Sequence, residues 1–329
     1  MRGKGGAYSR KCQAYIFNLR KFKLQWGILL VFLLLIILFI IGSPRTFLSS
    51  RIYIAVMSTV PFAGVMALGL TFVVVSGMID LSFPSVMAIS GFIFAVIFTS
   101  TGSAGLALVS GLSTGLVAGV LNGVMVTRIG VPPIVATIGT MFLWRGVAHV
   151  ASGGVARVLG PVRDTALFSV LAGRVGGVIP AQFLWMLLIV VVLWFILNRH
   201  RFGNDVCFVG DNESSARMMG INVGRTKIFV FALMGLLAAF AGVMNDLEMV
   251  NWWPSQGEGH FLPVFAMLFV GGTSITGGRG TIFGTLIGAF IIGILEAGII
   301  ASGFSGFWTQ LIYGLIIIIS VSMHTMMRK

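Results

Sequence analysis

Arg199–Lys227, RHRFGNDVCFVGDNESSARMMGINVGRTK, is the only long hydrophilic insertion between apolar runs in this chain. Everything on either side of it reads as lipid-soluble. The side of the membrane on which this segment lies therefore fixes the direction of every span before and after it. Its own pattern, a cap residue, a short apolar face and a glycine stop, predicts a folded handle for something outside the bilayer.

The chain is 57% hydrophobic and 9% charged, with a mean hydropathy of +1.02. Soluble domains carry about 25% charged residues. The fold class is therefore an all-α polytopic membrane protein. Its 44 glycines and 9 prolines fit close-packed spanning helices rather than a barrel, whose strands would alternate apolar and polar residues. The net charge of +13 does not point to nucleic acid, because basic and aromatic residues do not interleave on a polar surface. The basic residues fall in the gaps between apolar runs, the pattern of a positive inner face with attraction to anionic membrane lipid.

A span needs about 20 apolar residues. About ten candidates are readable: 25–43, 52–76, 84–101, 104–127, 132–151, 181–198, 228–250, 261–275, 281–302 and 307–325. Pro61 and the Gly-rich stretches predict that some are broken or tilted. The run from Trp26 to Gly42 follows basic residues but lacks a small-residue cleavage site, so it reads as a retained first span. Arg45, Arg51, Arg157, Arg163 and Arg174 fall outside in an N-in, C-in layout, and Arg145 falls within a span; the other sixteen of the 22 basic residues lie inside. Residues 1–24 are then a basic cytoplasmic tail and 25–329 a single transmembrane domain. Within it, 152–180 is an external loop and 199–227 the main cytoplasmic loop. Cys12 and Cys207 share the cytoplasmic side, where no disulfide is expected.

Gly115, Gly119 and Gly123 recur every four residues, as do Gly280, Gly284 and Gly288, which predicts close helix contacts on one face. Ser76–Ser90 and Ser274–Gly288 echo each other as polar, Gly-punctuated turns leading into small-residue helices. That echo fits either a duplicated unit or compositional bias.

In the polar segment, Asp211 or Asn212 can cap a short helix, Glu213 suits its first turn, and Gly220 ends it. Ala216, Met218 and Met219 give a small adaptable surface. The same features fit an ordinary surface helix tying two spans together. Asp80 is the sharpest intramembrane candidate, and a carboxylate there should face protein or water. It lies in a solute path or gate, or caps the following helix with Ser82, and the cap is the favoured reading. Arg145 and His149 share a face, either lining a vestibule or marking the outer end of a span. Trp252 and Trp253 stack on a sugar, meet a partner, or form an interfacial aromatic belt. Glu258 and His260 are too few for a metal site. Asp246 and Glu248, two apart, point to different faces and do not form a carboxylate pair. Glu296, inside a span, needs a polar neighbour or a helix end. No HExxH, GxSxG or Cys/His cluster is present, so no catalytic set is expected.

RFGNDVCFVGDNESSARMMGIN resembles the ATPase-facing loop of the ribose-type permease subunits of bacterial ABC importers. Ala67–Ser82 (ALGLTFVVVSGMIDLS), Val131–Gly146 (VPPIVATIGTMFLWRG), Phe269–Ala289 (FVGGTSITGGRGTIFGTLIGA) and Phe307–Ile318 (FWTQLIYGLIII) resemble the same family, in its order and over nearly the whole chain. Phe83-Pro84, Ser214-Ser215 and Asn251–Phe261 depart from its usual pattern.

The resemblance implies a permease in the bacterial inner membrane, paired with a second permease subunit as a homodimer. A cytoplasmic ABC ATPase would bind ATP and Mg, and an external solute-binding protein would deliver a sugar, polyol or similar solute. Asn212, Glu213, Ala216, Arg217, Met218, Met219 and Gly220 would form the ATPase-coupling helix. Asp80, Ser82, Arg145, Trp252, Trp253, Glu258 and His260 are the pathway or gate candidates. The chain has no GxxxxGK[ST], so no cofactor is expected in it. The alternatives are a permease for nucleosides or branched-chain amino acids, or an ion-coupled secondary transporter.

Overall fold

A computed structural model describes residues 22–326; the basic tail residues up to Lys21, Cys12, Arg328 and Lys329 lie outside the described residues. The chain folds into helices α1 (Phe22–Gly42), α2 (Pro44–Phe47), α3 (Ser50–Val75), α4 (Phe83–Thr101), α5 (Ala104–Val124, continued by a π turn at Met125–Ile129), α6 (Pro133–Ser152), α7 (Ala166–Leu171), α8 (Ala181–Arg199), α9 (Arg201–Asp211), α10 (Glu213–Met218), α11 (Val223–Met249), α12 (Phe261–Val270), α13 (Ile282–Ala301) and α14 (Phe307–Met326). The few strands are two-residue pieces. β1 (Arg157–Val158) pairs antiparallel with β4 (Asn251–Trp252), and β2 (Arg174–Val175) with β3 (Ile179–Pro180).

Eight described helices are long and apolar enough to cross a membrane, and α12 and α14 supply two shorter apolar stretches. The ten-segment reading therefore holds with one qualification. Helix α12 has 10 residues and rises only about 15 Å, half the hydrocarbon core. Pro61 does not break its helix: α3 runs through it from Ser50 to Val75. Spanning helices tolerate proline where neighbours enclose the freed backbone, and α3 is buried almost continuously from Val60 to Val75.

Helix α3 is the centre of the bundle, packed on α8, α11, α12 and α13. Its small and β-branched residues let neighbours approach from all sides. Outward faces of α1, α5, α6 and α8 expose Leu30, Leu121, Phe142 and Phe195, as a lipid-facing shell requires. The tightest seam lies between α5 and α11. A Cβ at Gly119 would collide with the Phe231 carbonyl and lie 2.9 Å from Ala232 Cα, and one at Gly123 would lie 2.7 Å from Ile228 Cα. The glycine face is thus filled by backbone. In the second triplet, Gly284 and Gly288 meet Gly271 and Met267, but Gly280 precedes α13 and packs against Val75. The helix starts at Ile282, because Thr281 caps it through the Gly284 N–H at 3.0 Å.

Gly119→Leu is expected to lower the melting temperature of the purified protein, since overpacking costs roughly 1–3 kcal/mol and here the obstacle is backbone. Gly139→Leu on α6, with no atom within 4 Å of its Cβ position, is the control. Equal melting of the two variants would refute the seam.

The two echoing turns meet in space. Gly77 and Gly277 both have φ near +80°, and a Cβ at Gly277 would lie 2.8 Å from Gly77 Cα and 2.7 Å from the Gly210 carbonyl. The Gly278 N–H donates to the Val75 carbonyl at 2.8 Å. This junction of three glycines fastens α9 to the bundle. Helix α9 was not foreseen in the polar segment, whose reading favoured only the shorter α10.

Candidate functional site

Two regions carry the site residues, one at each end of α11. At its C-terminal end the chain turns back into the protein. Trp252 is fully buried, its indole N–H donates to the Ala88 carbonyl at 2.9 Å, and its ring lies 4.8 Å from Phe92. The Gln256 amide donates to the Gly242 carbonyl at 3.2 Å, about 10 Å before the end of α11. Phe261, at the start of α12, stacks on Phe83 at 6.0 Å. Residues 253–260, irregular up to a 3-10 turn at Glu258–His260, are thus re-entrant against α11 and lead directly into the half-length α12. Non-helical backbone at such depth persists only where protein encloses it.

Arg145 supplies much of that enclosure. Its Nη1 donates to the carbonyls of Pro254 and Gln256, both at 2.7 Å, and its Nη2 to the Pro84 carbonyl at 3.3 Å. Its Nε lies 3.7 Å from Glu258 Oε1. A guanidinium with five donors in a fixed fork suits this clustering of backbone acceptors.

Beside the re-entrant segment lies a cavity of about 490 Å³, within the roughly 300–1,000 Å³ typical of small-molecule sites. The segment contributes Trp253, Glu258 and His260; α11 contributes Asn245 and Met249; and α3 contributes Thr59 and its neighbours up to Ala63. Glu296 from α13 and Gln310 and Tyr313 from α14 complete the polar wall. The Tyr313 hydroxyl donates to Glu296 Oε2 at 3.0 Å, which names the polar neighbour that a carboxyl in a span requires. The wall combines hydroxyl, amide and carboxylate groups with apolar and aromatic surface.

The structure sorts the pathway candidates. Trp253, Glu258 and His260 line the cavity. Trp252 does not, because its ring and its N–H are both spent inside the protein. Arg145 contacts the re-entrant segment rather than the cavity, so it acts on the wall from behind. Asp80 and Ser82 lie apart from it, buried in a chain of hydrogen bonds. Asp80 Oδ1 accepts from the Ser82 N–H and hydroxyl, both at 2.7 Å. Ser82 Oγ accepts from Asn122 Nδ2 at 2.8 Å, and Asn122 Oδ1 accepts from Thr140 at 2.8 Å. This chain ties the turn before α4 to α5 and α6, and the Ser82 side chain itself makes no capping bond. His149, like Arg145, is not among the residues that line the cavity. Asp246 and Glu248 do diverge: Asp246 is fully buried against Gly91, whereas Glu248 pairs with Arg174 at 3.4 Å. No cluster of three potential metal-binding His, Cys, Asp or Glu residues occurs among the described residues.

At the N-terminal end of α11, α10 forms as its cap signals predict. Asn212, not Asp211, is the cap, its Oδ1 accepting from the Ser215 N–H at 2.8 Å. Gly220, with φ +80°, donates to the Arg217 carbonyl, and Ile221 donates to the Ala216 carbonyl. These two bonds are the paired closure of a helix C-terminus. Ala216 does not belong to the exposed surface its spacing suggests: it is buried with Val209 and Val223, and only Met218, 80% exposed, and Met219, 43% exposed, present apolar surface. Hydrogen bonds from Arg217 and then Lys227 hold the Glu213 carboxyl below the usual carboxylate range.

Residues 52–321 match the family described as branched-chain amino acid transport system / permease component. The chain is 35% identical over 292 residues to the ribose import permease protein RbsC of Bacillus subtilis (strain 168), covering 88% of this chain and 89% of that protein. It is 34% identical over 294 residues to RbsC of Escherichia coli (strain K12), covering 89% and 91%. It is 33% identical over 296 residues to the L-arabinose ABC transporter permease protein AraH of Azospirillum brasilense, covering 90% and 86%. No solved structure matches. A multi-pass helical bundle matched over most of its length in this way belongs to the branched-chain amino acid transport system / permease component family, among its ribose-type permeases.

Proposed function

We propose that this chain is the permease subunit of an ATP-driven ABC importer in the bacterial inner membrane, and that it carries a sugar, polyol or similar small polar solute inward. The observation that carries this reading is the cavity at the C-terminal half of α11. The Glu296–Tyr313 pair, Asn245 and Gln310 offer both acceptors and donors for hydroxyl groups. Trp253 offers a flat apolar face. The names of the relatives, which are ribose and arabinose permeases, favour the same solute class.

In this reading two permease chains form the pathway. A cytoplasmic ATPase docks on α10 and supplies ATP and Mg, and an external solute-binding protein delivers the solute. Hydrolysis biases the equilibrium between inward- and outward-open states. Vesicles holding the permease, its ATPase and its binding protein are expected to take up labelled ribose or arabinose only when ATP is present on the cytoplasmic side. Uptake that is indifferent to ATP and collapses with an ion gradient would instead establish the secondary-transporter reading. ATP-dependent uptake of a nucleoside or an amino acid in place of the sugars would move the solute class.

A further inference from the structure

We infer that Glu213 and Lys227 are positioning residues that lock α10 to the root of α11, so that the docking helix and the cavity wall move as one body. The inference deepens the proposed import function and rests on it for its functional arm.

Both oxygens of Glu213 are engaged. Oε1 lies 2.7 Å from Arg217 Nη2 on the same helix, and Oε2 lies 2.6 Å from Lys227 Nζ, fourteen residues on and within the first turns of α11. Lys227 is the enclosed partner: its side chain is 16% exposed, against 66% for Arg217. The short contact between Glu213 and Lys227 crosses from one helix to the next, where the Glu213–Arg217 pair merely braces α10 along its own axis. A second tie runs beside the first. Ala216 is fully buried with Val209 and Val223, and Val223 is the first residue of α11.

What the lock holds is a long rigid element. Helix α11 is unbroken from Val223 to Met249, about 40 Å of rise. It is held along its length by the backbone contacts of Gly115 and Gly119 with Gly235 and Phe231. Its far end presents Asn245 and Met249 to the cavity. A displacement at α10 therefore reaches the cavity wall through one helix rather than through a relay of side chains. It does so only while α10 is fixed to that helix, and six residues with one buried side chain give α10 little hold of its own. Both carboxylate oxygens of Glu213 are thus engaged within the subunit, and the exposed apolar surface of this helix and its C-cap is carried by Met218 and Met219.

The test is a double-mutant cycle on the full-length permease with two readouts. In the purified permease alone, Glu213→Gln and Lys227→Met are each expected to speed amide hydrogen exchange across 213–219 by about fivefold. The double variant should exchange no faster than either single one, and Lys227→Arg, which keeps the charge, should exchange like the wild type. In the assembled complex, both single variants should keep the ATPase bound but lose its stimulation by solute-loaded binding protein to the same extent. Additive exchange effects would overturn the lock. So would loss of ATPase binding in Glu213→Gln but not in Lys227→Met, which would make Glu213 a direct partner contact. If the chain is not an importer permease, the exchange result stands and only the complex readout fails.

Discussion

Deleting residues 213–219 is expected to abolish co-purification of the ATPase while membrane insertion proceeds as in the wild type. Insertion is set by the apolar spans and by the basic residues flanking them, and none of the spans includes α10. The helix contributes a single fully buried side chain, Ala216, to the small cluster at the root of α11. Its loss therefore leaves the central core around α3 intact. What disappears is the outward surface, where Met218 and Met219 offer unbranched, adaptable apolar contact. Replacing 213–219 by an equally long Gly-Ser segment should have the same effect without closing the gap between Asn212 and Gly220. A complex that still purifies intact with either variant would refute the role of α10 as the docking element. Measuring subunit stoichiometry beside membrane yield separates loss of docking from loss of folding.

Arg145→Met is expected to destabilise the protein and to eliminate uptake. The methionine fills the space but donates nothing, so the carbonyls of Pro84, Pro254 and Gln256 lose the fork that pairs them. A buried acceptor stranded in this way costs about 1–3 kcal/mol. The Pro254 and Gln256 bonds are the short ones, so a loss of several degrees in melting temperature is the expected reading. The functional loss follows from position. The same segment carries Trp253, Glu258 and His260 into the cavity wall, and without the clamp these groups have no fixed place. Arg145→Lys should fall between the two, because an ammonium keeps the charge but lacks the planar fork. Faster exchange confined to 250–260 would identify the clamp as the cause, whereas wild-type uptake by Arg145→Met would remove it from the gate altogether.

Sequence and structure agree on one kind of residue and differ on another. Asn212 and Gly220 took the places their spacing predicts, because a helix cap depends on bonds between residues three to five apart, whereas Ala216 turned inward, packed on Val209 and Val223 in contacts that the spacing of α10 alone does not record. Arg145 and Trp252 did not take such places either. Their partners lie far away in the chain, at Pro84, Ala88, Pro254 and Gln256, and no local pattern records those distances. Helix α9 was hidden for a related reason. Its glycines at 203 and 210 serve close approach to backbone far along the chain or in the preceding helix, Gly210 against Val75 and Gly278 and Gly203 against Ile196 and Leu197. Glu296 was legible as a carboxyl in need of a partner, but Tyr313 as that partner was not.

The sequence by itself determined the helical class, the run of apolar segments, and the existence and glycine stop of α10. Each of these follows from hydropathy, from charge, or from hydrogen bonds within a turn of helix. Only the tertiary structure decided that α12 is half a span led into by a re-entrant segment. It alone showed that the turns at Gly77 and Gly277 meet over Gly210, and that Glu296, Tyr313 and Trp253 share one cavity. The physical reason is rotation. A hydrophobic run specifies that a helix crosses the bilayer, but in lipid every face of an apolar helix is equally soluble. The direction in which a polar side chain points is therefore set by glycine contacts and backbone carbonyls contributed from other parts of the chain.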